Sequence, residues 1–497
     1  MFTSRRYGLK MSVLKKALLD GVFTCVVEYV PKPSSERFTA FEALMEQSRL
    51  HEWPLVPAVA DRVGGKFDIA PVDACAALKG PTPALIHFSG KDRERSDLLS
   101  ELDRMDRLGV NQLLLISGDR LPGHQPGQHP VRYLESVPAL QIARAARQDW
   151  LLGAALNPFK YREEEGCAQY LKAHKKLAAG ADFLTLQLGF DAKKHIEAVA
   201  WMTSQKTPKP LLACVMGLTE KRASLLKSVP GIVVSPSMLG VLAAEAAVSK
   251  EHARSRCTDR LALQIVGLRL MGYAGIHLSG IHTVQELEAL EQRISVWVKN
   301  IGSLEHWSAA WADSWQPPGQ LAVTFNPPGA SWYLGESSVK ATPKETLRYH
   351  VLAGFHSSLF SHTTLLGGAL GWAVRRPVWS SARGASLLRQ LERSLKRPLV
   401  GCDTCGQCRL EDTLYICPET CPKGLSNGPC GGTYLNRCEF GDRECIHSVK
   451  YRTAKSVRRI QVLTDRLIPC VEQGSRHSSS WPRWFEADAS QTRGTSD

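Results

Sequence analysis

No long hydrophobic run crosses this 497-residue sequence. The most apolar long stretch of its C-terminal half, residues 351–374, is broken by His356, His362 and several serines, which excludes a membrane span there. The opening Met1-Phe2-Thr3-Ser4-Arg5-Arg6 is basic but lacks the apolar stretch and small-residue cleavage site of an export signal. A cytoplasmic location is therefore expected, where cysteines stay reduced and open to metals. Low-complexity blocks are missing, and 43% hydrophobic with 22% charged residues is a globular composition. The length calls for about two or three domains. A basic stripe interleaved with aromatics is missing too. The net charge of +14 is dispersed apart from Arg5-Arg6, Lys15-Lys16, Lys175-Lys176 and residues 450–459, so nucleic acid is not the expected partner. Polyanionic small molecules suit such a basic surplus equally well.

Cysteine is sparse over most of the chain. Six of the fourteen are scattered singly, and eight crowd into 44 residues: Cys402, Cys405, Cys408, Cys417, Cys421, Cys430, Cys438 and Cys445. Thiolates two or three residues apart can turn toward one soft metal centre, a convergence that random disulfides do not need. Glycine and proline between them, as in Asn427-Gly428-Pro429-Cys430-Gly431-Gly432, supply the tight turns of a metal knuckle. A disulfide-stapled secreted module is the alternative, and it does not suit a cytoplasmic chain. Eight thiolates allow two four-cysteine centres, or one centre with spare ligands and His447 as a substitute. The close triple Cys402, Cys405 and Cys408 has the spacing found around 4Fe–4S clusters, while structural zinc takes the same residue types. Both readings stay open.

Between about 20 and 295, apolar runs alternate with amphipathic stretches. Strands are predicted at 22–29, 54–60, 84–88, 112–117, 150–156, 182–188, 210–215 and 275–278, with a weaker one at 231–235; helices include 96–108, 164–179, 220–228 and 257–271. This spacing predicts an α/β protein built on a (β/α)8 TIM barrel. A doubly wound sheet usually carries a glycine-rich phosphate loop after its first strand, and none follows Glu28. The domains read as an extension over 1–19, the barrel over 20–298, and a tryptophan-rich connecting region over 299–398, punctuated by Pro317-Pro318, Pro327-Pro328 and Thr342-Pro343. A small cysteine-rich metal-binding domain over 399–455 follows, then a basic segment and disordered tail over 456–497.

In a barrel, function collects at the C-terminal ends of strands. The first ends in Val27-Glu28-Tyr29. A carboxylate among apolar neighbours is costly to bury ionised, which raises its pKa and suits it to donate a proton. The fourth ends in Ser117-Gly118-Asp119, where Gly118 lets a flat ring approach the backbone and Asp119 reaches the mouth. The third ends in His87-Phe88-Ser89, and the sixth carries Thr185-Leu186-Gln187.

With Asn157-Pro158, Ala179-Gly180-Ala181-Asp182 and Val229-Pro230-Gly231, these marks resemble, in order and separation, the methylenetetrahydrofolate reductase family over residues 20–295. The resemblance implies a FAD-dependent oxidoreductase interconverting 5,10-methylene- and 5-methyltetrahydrofolate in one-carbon metabolism. Either direction is open, from methyl supply for methionine to methyl oxidation. It makes Glu28 the general acid, sets Asp119 near flavin and pterin, and gives Gln187 a hydrogen bond to the folate. His87, Gly118, Asn157, Lys175 and Lys176 would contact FAD, the lysines facing its phosphates. Two departures stand out: Val59-Ala60-Asp61 where a threonine is usual, and no aromatic in residues 214–218 to stack on nicotinamide. The cysteine string is similar to a C-terminal domain attached to some of these reductases, which in acetogen-type enzymes is a separate small subunit. A 4Fe–4S cluster there would give a redox protein a one-electron route, whereas zinc would leave NAD(P)H as the direct partner. An oligomer is compatible with the resemblance. Rival readings are a folate-dependent methyltransferase with thiolate-bound zinc, and a non-catalytic protein that docks a redox partner.

Overall fold

The computed structural model of the protein describes residues 11–491 apart from 33, 64–68, 79–82, 122–132, 317–322 and 362. The basic start at 1–6, Pro317-Pro318, His362 and the last six residues of the tail lie outside the described residues.

Nine strands are described: β1 (Thr24–Tyr29), β2 (Arg49–Leu50), β3 (Trp53–Val59), β4 (Leu85–Ser89), β5 (Gln112–Ile116), β6 (Leu151–Leu156), β7 (Phe183–Leu186), β8 (Leu211–Met216) and β9 (Gly275–Ser279). β2 is a short antiparallel partner of β3. The other eight run parallel in chain order, and β1 pairs with both β3 and β9, which closes the sheet into an eight-stranded barrel. Their valine, leucine and isoleucine runs are buried on both faces, the pattern of a parallel sheet covered by helices. Val26, Val56, Leu85, Leu114, Phe183 and Leu212 pack a single cluster with Leu14 and Leu18 of the helix Val13–Asp20. Gly153 makes room for Phe183: a Cβ there would lie 2.2 Å from the ring. A larger cluster fills the layer between strands and surrounding helices.

The weaker strand prediction at 231–235 is corrected. The segment pairs with no strand and leads into the helix Pro236–Val248, capped by Ser235 Oγ accepting from the Met238 N–H at 3.2 Å.

The tryptophan-rich region is not a unit of its own. Trp307, Trp311 and Trp315 belong to the barrel's outer core, and Trp307 Nε1 donates to the Leu263 carbonyl at 2.7 Å. The helices Pro343–Leu359, Leu365–Val374 and Ala382–Val400 follow. The disordered tail is also corrected: the helix Trp481–Gln491 buries Trp481 and Phe485 against Phe360, Val374 and Leu388 of those helices. Two aromatics four residues apart share one helix face, so a stretch that is polar on average still has an apolar side to bury. Among the described residues, no helix is long and apolar enough to cross a membrane.

Candidate active site at the barrel mouth

The C-terminal strand ends surround one cavity of about 440 Å³. Glu28 of β1, His87 of β4, Gly118 and Asp119 after β5, Asn157 after β6, Gln187 after β7 and Lys176 all line it. Lys175 is buried behind this lining and does not reach it. Seven of the eight barrel residues singled out in the sequence thus share a single space.

Strand register supplies what the sequence did not reveal. Val26 pairs with His277 and Val27 with Leu278, so the next position sets Ser279 beside Glu28. Ser279 Oγ donates to Glu28 Oε2 at 2.6 Å. His277 Nε2 lies 3.2 Å from His87 Nε2, and the two rings and Glu28 offer ligand-type atoms within 4.8 Å of one another. Burial, reinforced by His277, holds His87 well below the usual imidazole range. Burial also lowers His277, against the opposing pull of Glu28. Two neutral rings at this distance hydrogen-bond as one donor and one acceptor. His277 Nδ1 and Thr185 Oγ1 are buried without partners, and both residues line the cavity. Orphaned buried polar atoms of this kind are costly unless a ligand meets them.

The remaining residues are pinned in different ways. Asp119 is half-exposed and ion-paired with the buried Lys91. Gly118 adopts φ +83°, and a Cβ there would meet Ser89 Oγ at 2.3 Å. Gln187 Oε1 accepts from the Leu188 N–H at 2.9 Å. Asp61, where a threonine was expected, is held by the Ser89 N–H at 2.7 Å and by Arg93 at 2.5 Å. Lys176 donates to the Ala155 carbonyl, and burial followed by its neighbour Lys172 lowers it to about 7; Lys175 is lowered by burial to about 8.

A family profile described as methylenetetrahydrofolate reductase matches residues 14–293, more than half of the chain. This protein belongs to the methylenetetrahydrofolate reductase family. A second profile, methylene-tetrahydrofolate reductase C terminal, matches residues 384–473. No curated protein matches the chain. Among solved structures, an uncharacterized protein from Clostridium thermocellum that binds two copies of 5-methyl-5,6,7,8-tetrahydrofolic acid is 15% identical, with a TM-score of 0.40 over 58% of this chain and 100% of its own. Oxaloacetate acetylhydrolase in complex with 3,3-difluorooxalacetate is also 15% identical, with a TM-score of 0.32 over 59% of this chain and 86% of its own.

In this reductase-family chain the cysteine module forms part of the mouth. Its loop 426–433 is bound residue by residue to the barrel. Lys172 Nζ donates to the carbonyls of Gly428 and Pro429 at 3.0 and 3.1 Å, and Gln169 Nε2 to Cys430 at 2.7 Å. Asn157 Nδ2 bridges the carbonyls of Gly231 and Gly431 at 2.9 and 2.8 Å. Glu135, ion-paired with Lys172 at 2.8 Å, accepts from the N–H groups of Ser426 and Asn427. Lys423 reaches back to the Gly118 carbonyl at 2.8 Å and pairs with Glu439. Cys430 and Glu439 consequently line the same cavity as Glu28. The Asn157 amide, at a residue expected to contact a cofactor, bonds the module loop while the residue lines the cavity.

All eight module cysteines are free thiols. Burial raises Cys402 and Cys438 to about 11 and Cys430 to about 12. Neighbouring thiols add to this at Cys402, Cys405 and Cys417, which act on one another or feel Cys408, and at Cys430, Cys438 and Cys445, which feel Cys421, so the eight fall into two spatial sets. A tetrahedral zinc with Zn–S bonds of about 2.3 Å needs its sulfurs about 3.8 Å apart. Among the described residues, no three of these thiols come within 4.8 Å of one another. A cubane cluster binds each thiolate to a different iron and spaces them more widely. His447 Nε2, the substitute ligand considered from sequence, is buried without a partner.

Proposed function

We propose that this protein interconverts 5,10-methylene- and 5-methyltetrahydrofolate at the barrel mouth, with a flavin there and a redox protein as its electron partner. The observation that carries this reading is the joint cavity: Glu28, Asp119 and Gln187 on one side, Cys430 of the module on the other. Apolar Leu114, Ile116, Ala155 and Leu186, with Gly118 bare of a side chain, suit a flat ring system, and Lys176 on the same lining is a basic group for its phosphate. FAD bound there, once reduced by two electrons from that redox partner, would supply the hydride.

In the reductive direction, Glu28 gives its proton to N10 as the five-membered ring of the substrate opens, leaving an iminium at N5 whose exocyclic carbon accepts the hydride. The Ser279 hydroxyl fixes the carboxyl that does this. Asp119, tethered by Lys91, and Gln187 orient the pterin. The described lining holds no phenylalanine, tyrosine or tryptophan, and β8 presents Cys214 and Met216 instead. This favours a redox protein over direct stacking of NAD(P)H. The close sequence triple Cys402, Cys405 and Cys408 suits a 4Fe–4S cluster, and clusters on the two cysteine sets would supply one-electron transfer.

Glu28→Gln tests the reading. With a reduced dye as donor, folate turnover should fall by about 10²–10⁴-fold while flavin content stays that of the wild type. Turnover retained in that variant would sink the proposal, and methyl transfer to a thiol without flavin would replace it with a methyltransferase.

A further inference from the structure

The helices Pro343–Leu359 and Ala382–Val400 carry an apolar face that no described part of the chain covers. On the second helix Leu387, Leu391, Leu395 and Leu399 recur every fourth residue and are 46–58% exposed. On the first, Leu347, Val351 and Phe355 do the same at 52–65%. Such a contiguous exposed stripe is what a soluble surface avoids unless something docks on it. Between the two helices runs an apolar groove of about 380 Å³, lined by Phe355, Leu395 and Leu399, with Cys408 and Lys396 also in its lining. Lys396 Nζ stands 3.6 Å from Cys408 Sγ.

The stretch that carries both helices is basic, while an acidic group, Glu411, acts on the groove residues His356 and Tyr415. Residues 343–400 hold nine lysines or arginines against two acidic residues. Both acids are engaged internally, Glu345 with Arg452 and Glu392 with Lys396. A second copy of this chain would bring the same charge against itself, which disfavours self-association. A flat anionic membrane matches the charge but not a concave groove that reaches a cysteine sulfur.

From this we infer that the groove over Cys408 is the docking port for a small acidic electron-carrier protein, whose apolar tip enters between Phe355 and Leu399 while its carboxylates meet the arginines around it. The inference rests on the redox-partner reading above. It gives the two cysteine sets separate places: the first at the port, the second in the lining of the mouth.

Full-length protein would be titrated with a plant-type 2Fe–2S ferredoxin and, separately, with a flavodoxin, both strongly acidic, with Leu399→Asp and Leu395→Asp as variants. Leu225→Asp is the control, since Leu225 is 67% exposed on a barrel helix. At least one carrier should bind the wild type and the control, more weakly as salt rises, and bind each groove variant about tenfold or more weakly. Dye-driven folate turnover should stay the same in all four proteins. Loss of that turnover in the wild type would be a failure of the folate reading alone. Absence of binding by both carriers, or binding unchanged in the groove variants, would overturn the port. So would a dimer dissociated by Leu399→Asp, or phosphatidylglycerol vesicles that capture the wild type in place of either carrier.

Discussion

His195 shows what burial does to one side chain here. Its Nδ1 lies 3.1 Å from the Tyr273 hydroxyl and its Nε2 3.3 Å from the Gly189 carbonyl, and among the described residues no carboxylate offsets a charge there. Burial lowers it to about 4 from an ordinary value of 6.5, so the folded protein keeps it neutral where the unfolded chain takes up a proton. This stability is complete above about pH 6.5 and is lost as the pH falls toward 4, amounting to about 3 kcal/mol for this residue. Urea unfolding across that range should show the decline, and His195→Gln should flatten part of it; an unchanged slope would refute the assignment. At this scale the sequence was uneven. Glu28, His87 and Gln187 were legible because strand ends point into a barrel mouth. Ser279 and His277 were not, because their meaning comes from a register between the first and last strands, which no local pattern records.

The helix Glu163–Ala178 does two jobs as an element. Its inner face packs on the barrel, while Lys172 and Gln169 grip the module loop. The Lys172–Glu135 pair is buried on both sides, so removing one partner strands the other charge. Glu135→Ala is expected to cost about 3–5 kcal/mol. It should also release the loop 426–433, seen as faster amide hydrogen exchange there while strands β1 to β9 stay protected. Equal protection of the loop in the variant would mean that Glu135 is not what holds it. Strands and most helices could be read from sequence because apolar runs and their spacing are local. The helix Trp481–Gln491 could not, since its aromatics Trp481, Trp484 and Phe485 acquire partners only once three distant helices have assembled.

On the scale of the whole molecule, barrel and module share one site. Asn157 and Gly431 are separated by 274 positions in sequence and joined by a 2.8 Å hydrogen bond, a contact that composition and spacing cannot announce. The reading from sequence accordingly divided the labour, with chemistry in the barrel and electrons in the module. The structure instead gives the module a share of the mouth's lining. On the proposed reading that the two cysteine sets hold metal, removing it with a chelator under reducing conditions should weaken binding of 5-methyltetrahydrofolate about tenfold or more, even with the barrel's helical and strand content intact. Affinity equal to that of the loaded protein would show that the loop keeps its place without metal.

The join between the two parts has a further consequence. At its tightest point Gly231 faces Gly431, and a single added methyl on the first would lie 2.1 Å from the carbonyl oxygen of the second. The fit is one-sided, since a Cβ on Gly431 would meet only Asn157 at 3.8 Å. Any side chain at Gly231 would therefore loosen the module from the barrel mouth, so the fit of the two parts hangs on that one bare position.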